Sequence, residues 1–231
     1  DYLRLMELAR DYDRNDGVVG QGITRLIDNV IQDGIALDPE TGDQALDADL
    51  KARWDAWAED PDACHSAQEM DFHALERLAL RSVIVDGDVF FLPLRDGQLQ
   101  PVEAHRCRTP SNTTRNVVHG VLLDDQRRRL EYWFTRDEID PLRPVQRVAD
   151  MRTYRARDAE DARQVLHIYN PKRLSQTRGV TALAPIADFV GLHDDIEFAK
   201  LVQQQVASCF AVLRSRSIDY GGPSSGPQYG E

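Results

Sequence analysis

The hydrophobic pattern of this chain changes period at Asp86-Gly87, and that change limits the fold more than any other feature. Before it, apolar residues return at helical spacing. Tyr2, Leu5, Met6, Leu8 and Ala9 predict a helix over residues 2–14, stopped at Asp16-Gly17. Ile23, Leu26, Ile27, Val30 and Ile31 predict a second helix closed by Asp33-Gly34, with Gly17 to Gly22 as a flexible connection before it. A third, over 47–58, carries Leu50, Trp54 and Trp57 on a narrow face that needs a partner surface, and a fourth runs from about Ala67 to Val85.

After Asp86-Gly87 the text turns to strands. Val89 to Leu94 and Leu99 to Ala104 flank a turn at Arg95-Asp96-Gly97. Val117–Leu123 and Leu130–Phe134 form a hairpin around the polar 124–129, and Val165–Tyr169 is a short strand. The proline- and arginine-rich 141–163 is expected to be a long loop or irregular insertion. Thr181 is placed to cap a helix carrying Pro185 in its first turn. From Leu192 to Leu213 the apolar residues step by three and four, a long amphipathic helix of about 30 Å. The tail from Ser217 to Glu231 has no core residues to offer. Helices, a β-rich middle and a long helix make the fold class α+β. Four regions follow: 1–116, 117–170, 171–216 and 217–231.

Charge narrows the function. The 231 residues carry a net −11, distributed unevenly. Residues 1–105 hold 9 basic and 23 acidic side chains, a net of −14, whereas 126–182 hold 13 basic and 8 acidic, a net of +5. An acidic chain does not grip DNA through bulk electrostatics, because affinity for phosphate needs clustered Lys and Arg. No apolar run reaches the roughly 18 residues of a membrane span. Cys64, Cys107 and Cys209 cannot all pair, and a reducing compartment is the simpler reading. The chain opens at Asp1 without a Met, so it reads as a fragment, a processed product or part of something longer.

Catalytic chemistry is hard to assemble. Cys64-His65 with His73 lacks the second close cysteine and the register of a zinc site. Gly17 to Gly22 lacks the Lys-Ser/Thr ending of a phosphate loop, and no Gly-x-Ser-x-Gly elbow is present. No cofactor or metal is expected. An enzymatic alternative, a metal-dependent nucleotide- or nucleic-acid-processing domain, would need Asp86, Asp88 and His105 to converge with a divalent ion in a pocket. Asp86-Gly87-Asp88 is more simply turn chemistry at a helix-to-strand junction. Arg127, Arg128, Arg129, Lys172, Arg173 and Arg178 are candidates for contact with phosphates, an acidic partner or a neighbouring subunit.

Two stretches resemble a known family. Arg81-Ser82-Val83-Ile84-Val85-Asp86-Gly87-Asp88-Val89-Phe90 is similar to a helix-to-strand "R-S-x-x-x-D-G-[DE]-x-F" segment of lambda-type portal proteins of tailed bacteriophages. Val165-Leu166-His167, followed by Arg178-Gly179-Val180-Thr181-Ala182-Leu183-Ala184-Pro185 and a long helix, resembles that family's later "V-L-H" and "R-G-V-x-x-L-A-P" segments. Ile27–Ile31 with Gly34-Ile35, and Leu99–Arg106, match further family segments, all in the family's order. Family members are considerably longer, and the 141–163 stretch is particular to this chain.

The resemblance implies a non-enzymatic subunit with a wing-and-stem architecture. It would belong to a homo-oligomeric ring, typically of twelve copies, at one capsid vertex of the virion, assembled in the bacterial host cytoplasm. The terminase would dock on it and supply ATP hydrolysis. Head-tail connector or adaptor proteins and the major capsid protein would be further partners. Double-stranded DNA would pass through its channel without sequence-specific binding. A monomeric, acidic virion adaptor is a second alternative, and it predicts no self-assembly.

Overall fold

The computed structural model describes residues 2–136, 140 and 142–209. The chain divides into two compact units, Asp1–Ala187 and Asp188–Glu231.

The first unit opens with five helices: α1 (Tyr2–Asn15), α2 (Gly17–Ile31), α3 (Gln44–Glu59), the short α4 (Pro61–Cys64) and α5 (Phe72–Val85). Aspartates start four of them. Asp16 accepts from the amides of Val18 and Val19, Asp43 from Ala45 and Leu46, Asp60 from Asp62, and Asp71 from Ala74. Part of the acidic excess in this half therefore serves as helix caps, each worth about 1 kcal/mol. The cap at Asp71 also explains why α5 begins at Phe72 and not near Ala67. Gly17 to Gly22 is not a connection but the first turns of α2. A side chain at Gly20 would meet the Asp13 carbonyl oxygen at 2.7 Å, so the glycine lets α1 and α2 close up. Ala9, Ile23, Ile27, Ile84, Val85 and Leu183 form the core of α1, α2 and α5. Trp54 and Trp57 of α3 find their partner in Phe72, with ring centroids 5.3 and 5.1 Å away.

Two antiparallel sheets follow. One has the order β2 (Leu99–Val102), β1 (Asp88–Pro93), β7 (Leu166–Tyr169). The other runs β3 (Val117–Val118), β4 (Val121–Leu123), β5 (Arg129–Thr135), β6 (Met151–Arg155). Alternate residues of each strand share one core: Phe90 and Leu92, Val121 and Leu123, Tyr132 and Phe134, with Val102, Cys107 and Val165. Phe90 is fully buried, its ring 5.1 Å from Phe134 and 5.8 Å from Tyr132. The opposite face of β5 puts Trp133 against Val145 and Met151.

The 141–163 stretch is not all loop. Met151–Arg155 pairs with β5 from Thr135 to Glu131. It is an edge strand whose outward Arg152, Thr153 and Arg155 stay exposed, and that polar edge hides its strand character in the sequence.

Pro185 sits in a 3₁₀ turn, Ala184–Ile186, which Thr181 prepares by accepting from the amide of Leu183 while donating to the Ile84 carbonyl. The helix α6 (Ala187–Cys209) then begins earlier than Leu192. Most of α6 lies in the second unit, where Phe189, Leu192, Ile196, Phe198, Leu201 and Val206 are exposed. Positions 210–213 and the 217–231 tail lie outside the described residues. Among the described residues no helix is long and apolar enough to cross a membrane.

Candidate functional site

The two stretches that carry the family resemblance, 75 or more residues apart in sequence, meet in space. Asp88 opens β1 and Arg178 stands in the segment after β7, and both are buried. The Arg178 guanidinium donates to both Asp88 oxygens, at 2.9 Å to Oδ1. Nη1 donates to the carbonyls of Cys107 (2.8 Å) and His119 (2.9 Å), and the two N–H groups of Nη2 are shared among Asp88, the Ala104 carbonyl (2.7 Å) and the Tyr2 hydroxyl (2.7 Å). The Gly179 amide and His167 Nε2 complete the Asp88 shell at 3.1 and 3.0 Å. Phe90 and Tyr2 lie against the guanidinium, which is 4.8 Å from the first ring centroid and 5.2 Å from the second.

Backbone proximity makes this possible. A side chain on Gly179 would fall 1.8 Å from the Gly87 carbonyl oxygen, and one on Gly87 2.6 Å from the Val180 amide. Gly87 also has a φ of +99°. The glycines of the two motifs are thus two sides of one contact.

The electrostatics follow from burial. Burial alone would raise the Asp88 carboxyl, but Arg178 and His167 hold it well below the usual carboxylate range. Burial pushes His167 down to about 4 despite Asp88, so at neutral pH the ring is neutral and donates through Nε2. Burial pushes the Cys107 thiol up to about 12 and raises Cys64 as well, which keeps both buried thiols protonated.

A second cluster lies alongside. Arg10 makes a two-pronged pair with Asp86, 2.7 Å on each arm, and reaches Glu103 at 3.2 Å, while His105 stands 2.9 Å from Glu103. Burial raises the Asp86 carboxyl, against the lowering effect of Arg10. The three groups that an enzymatic reading needs are therefore divided between two arginines. Asp88 is turned into the Arg178 hub, and Asp86 is held by Arg10. Among the described residues no group of three or more His, Cys, Asp or Glu side chains is placed to hold a metal ion.

The sequence-predicted basic residues separate into two groups. Arg127, at φ +63° in the β4–β5 turn, donates to the Ser175 carbonyl at 2.6 Å, and Arg128 pairs with Asp124 at 2.7 Å. Arg129 reaches the Tyr169 hydroxyl and the Thr177 carbonyl. The turn is thereby fastened to the 172–177 segment, where Lys172 and Arg173 are exposed. Arg178 departs from the expectation of a partner contact. It is only 3% exposed, because Asp88 and the converging carbonyls draw it inside. The Asp88–Arg178 pairing is the feature that residue-by-residue reading missed. Its signal is present in the sequence as two Gly-containing motifs, one with aspartates on both sides of Gly87 and one with Arg178 beside Gly179.

Comparison with known proteins places the chain in a family. The family model for phage portal proteins of the lambda family matches residues 1–227. The portal protein of Escherichia phage N15 is 22% identical over 242 aligned positions, which cover 95% of this chain and 44% of that protein. The chain thus spans less than half the length of that relative. The match runs over both motifs that meet at Asp88 and Arg178, and over the helical and β-rich parts they join; the chain belongs to the lambda family of phage portal proteins.

Proposed function

We propose that this chain is part of a portal subunit that forms a ring at one vertex of the capsid, the passage for DNA during packaging and ejection. The observation that carries the reading is the family match over residues 1–227, with its motifs in order and in contact. The subunit is structural; ATP hydrolysis during packaging belongs to a docked terminase. Head-tail connector proteins and the major capsid protein are the other partners, in a virion assembled in the host cytoplasm. The net charge of −11 suits a passage through which duplex DNA moves without being held, since each arginine or lysine contact would add a salt-dependent binding term. The full-length protein is expected to run as a ring of about a dozen copies in native mass spectrometry, with a central hole by negative stain. Monomers or dimers at every concentration, also when co-produced with the other head proteins, would overturn the reading.

A ring built by head-to-tail contacts needs two different, complementary faces on each subunit. The turn at Arg127–Arg129, exposed at Arg127 and Arg128, together with Lys172 and Arg173 is our candidate for one, and the acidic helical half for the other. Reversing Arg128, Lys172 and Arg173 to Glu is expected to lower the ring fraction at least tenfold at low salt. Wild-type ring yield in that variant would remove this face from the interface.

A further inference from the structure

We propose that a cleft beside the β4–β5 turn is a binding site for phosphoryl oxyanions. The cleft has a volume of about 700 Å³, in the range of small-ligand sites. Arg127, Arg128, Arg129, Arg157 and Arg163 line it, with Asp161 the only carboxylate among the lining residues.

Two observations point to an anion. Arg157 and Arg163 stand opposite each other on an isolated antiparallel bridge. Like charges in that position repel and are retained at a cost unless something negative lies between them. Asp161 offsets Arg157 at 3.1 Å, whereas Arg163 has no carboxylate partner among the described residues. Next, the buried Nε–H of Arg129 has no acceptor, although its other arm is engaged by Tyr169 and Thr177.

Guanidinium forks match phosphoryl oxygens two at a time, which favours phosphate over a point-like anion. The Tyr132 phenol, pushed up to about 12 by burial, keeps its proton and leaves the cleft without a second negative group at neutral pH. The concave shape also favours a small group over the convex acidic surface of another protein. The chemistry is common to a nucleic-acid backbone and to free phosphate, and the experiment separates them.

The site does not depend on the ring reading, and the oligomeric state of each sample is recorded alongside. Full-length protein is titrated with a fluorescent 12-base-pair duplex and, separately, with inorganic pyrophosphate. Wild type is expected to bind pyrophosphate saturably. R157A/R163A should bind it at least tenfold more weakly, and the control R25A, a single change at an exposed helix position, within twofold of wild type. If the duplex also binds and pyrophosphate displaces it, the source is nucleic acid, and the salt dependence of log K should flatten by about 2 in the double variant. If pyrophosphate alone binds, the source is free phosphate. R163A alone, which breaks no ion pair within the described residues, gives the same test should the double variant fold poorly. Absence of saturable pyrophosphate binding, or an equal loss in R25A, would overturn the proposal. So would displacement of pyrophosphate by hexaglutamate at lower concentration than by free phosphate, which would assign the cleft to an acidic protein segment.

Discussion

Replacing Arg178 with Met should destabilise the protein by about 3–5 kcal/mol, because it strands a buried carboxylate. Asp88 is fully buried, and its low proton affinity depends on the guanidinium. The loss is not confined to one ion pair. The carbonyls of Ala104, Cys107 and His119 and the hydroxyl of Tyr2 lose a donor at the same time, and buried polar groups without partners are costly. In thermal unfolding followed by circular dichroism, the midpoint is expected to fall by about 10 °C or more. The double variant D88N/R178M should recover part of the loss, since no charge is then left unpaired. A midpoint for R178M within about 2 °C of wild type would show that the hub contributes little to holding the two motifs together.

Acidification should act on the same hub. His167 loses proton affinity on folding, from an ordinary 6.5 to about 4. Between those values the unfolded chain binds a proton that the folded chain refuses. Stability is therefore full above pH 6.5 and falls as the pH drops towards 4. At about 1.4 kcal/mol per pH unit the loss is on the order of 3 kcal/mol. Asp88 has a depressed folded value, so its contribution is also lost on acidification, at still lower pH and with the same sign. His119 is lowered by burial and adds to the trend, whereas Asp86, raised by burial, works against it. The comparison that isolates His167 is wild type against H167Q in urea unfolding at pH 7, 5.5 and 4. The variant is expected to be less stable at pH 7 and to show the flatter profile. Parallel profiles would mean that His167 does not govern the acid response.

Much of the fold was legible because its helices and strands follow simple periods. The i, i+3, i+4 apolar spacing of α2 and the alternation of Phe90 with Leu92 state which face is inside before any contact is known. The edge strand Met151–Arg155 was not legible, because its solvent side is arginine-rich and its pairing partner lies sixteen to twenty-four residues away. The basic cleft was partly legible: Arg127–Arg129 stand out as a run, but their meeting with Arg157 and Arg163 depends on how β5 and β6 fold back. Arg178 shows the limit most plainly. One charge in a polar loop looks like a surface residue, and only the position of Asp88, ninety residues earlier, draws it inward.

The hub joins Tyr2 to Arg178, 176 residues apart, and the Ala182 amide closes onto the Ile84 carbonyl. During synthesis the N-terminal helices and β1 leave the ribosome long before these partners exist. At 5–20 residues per second, the interval between the emergence of Leu92 and of Leu183 is roughly 5–20 s. Throughout that interval Asp88 has no counter-ion from Arg178, and the α1–α2–α5 core lacks Leu183. A nascent chain halted before residue 178 is thus left open at its centre, a natural target for chaperones and proteases, and completion of the first unit becomes a late event in translation.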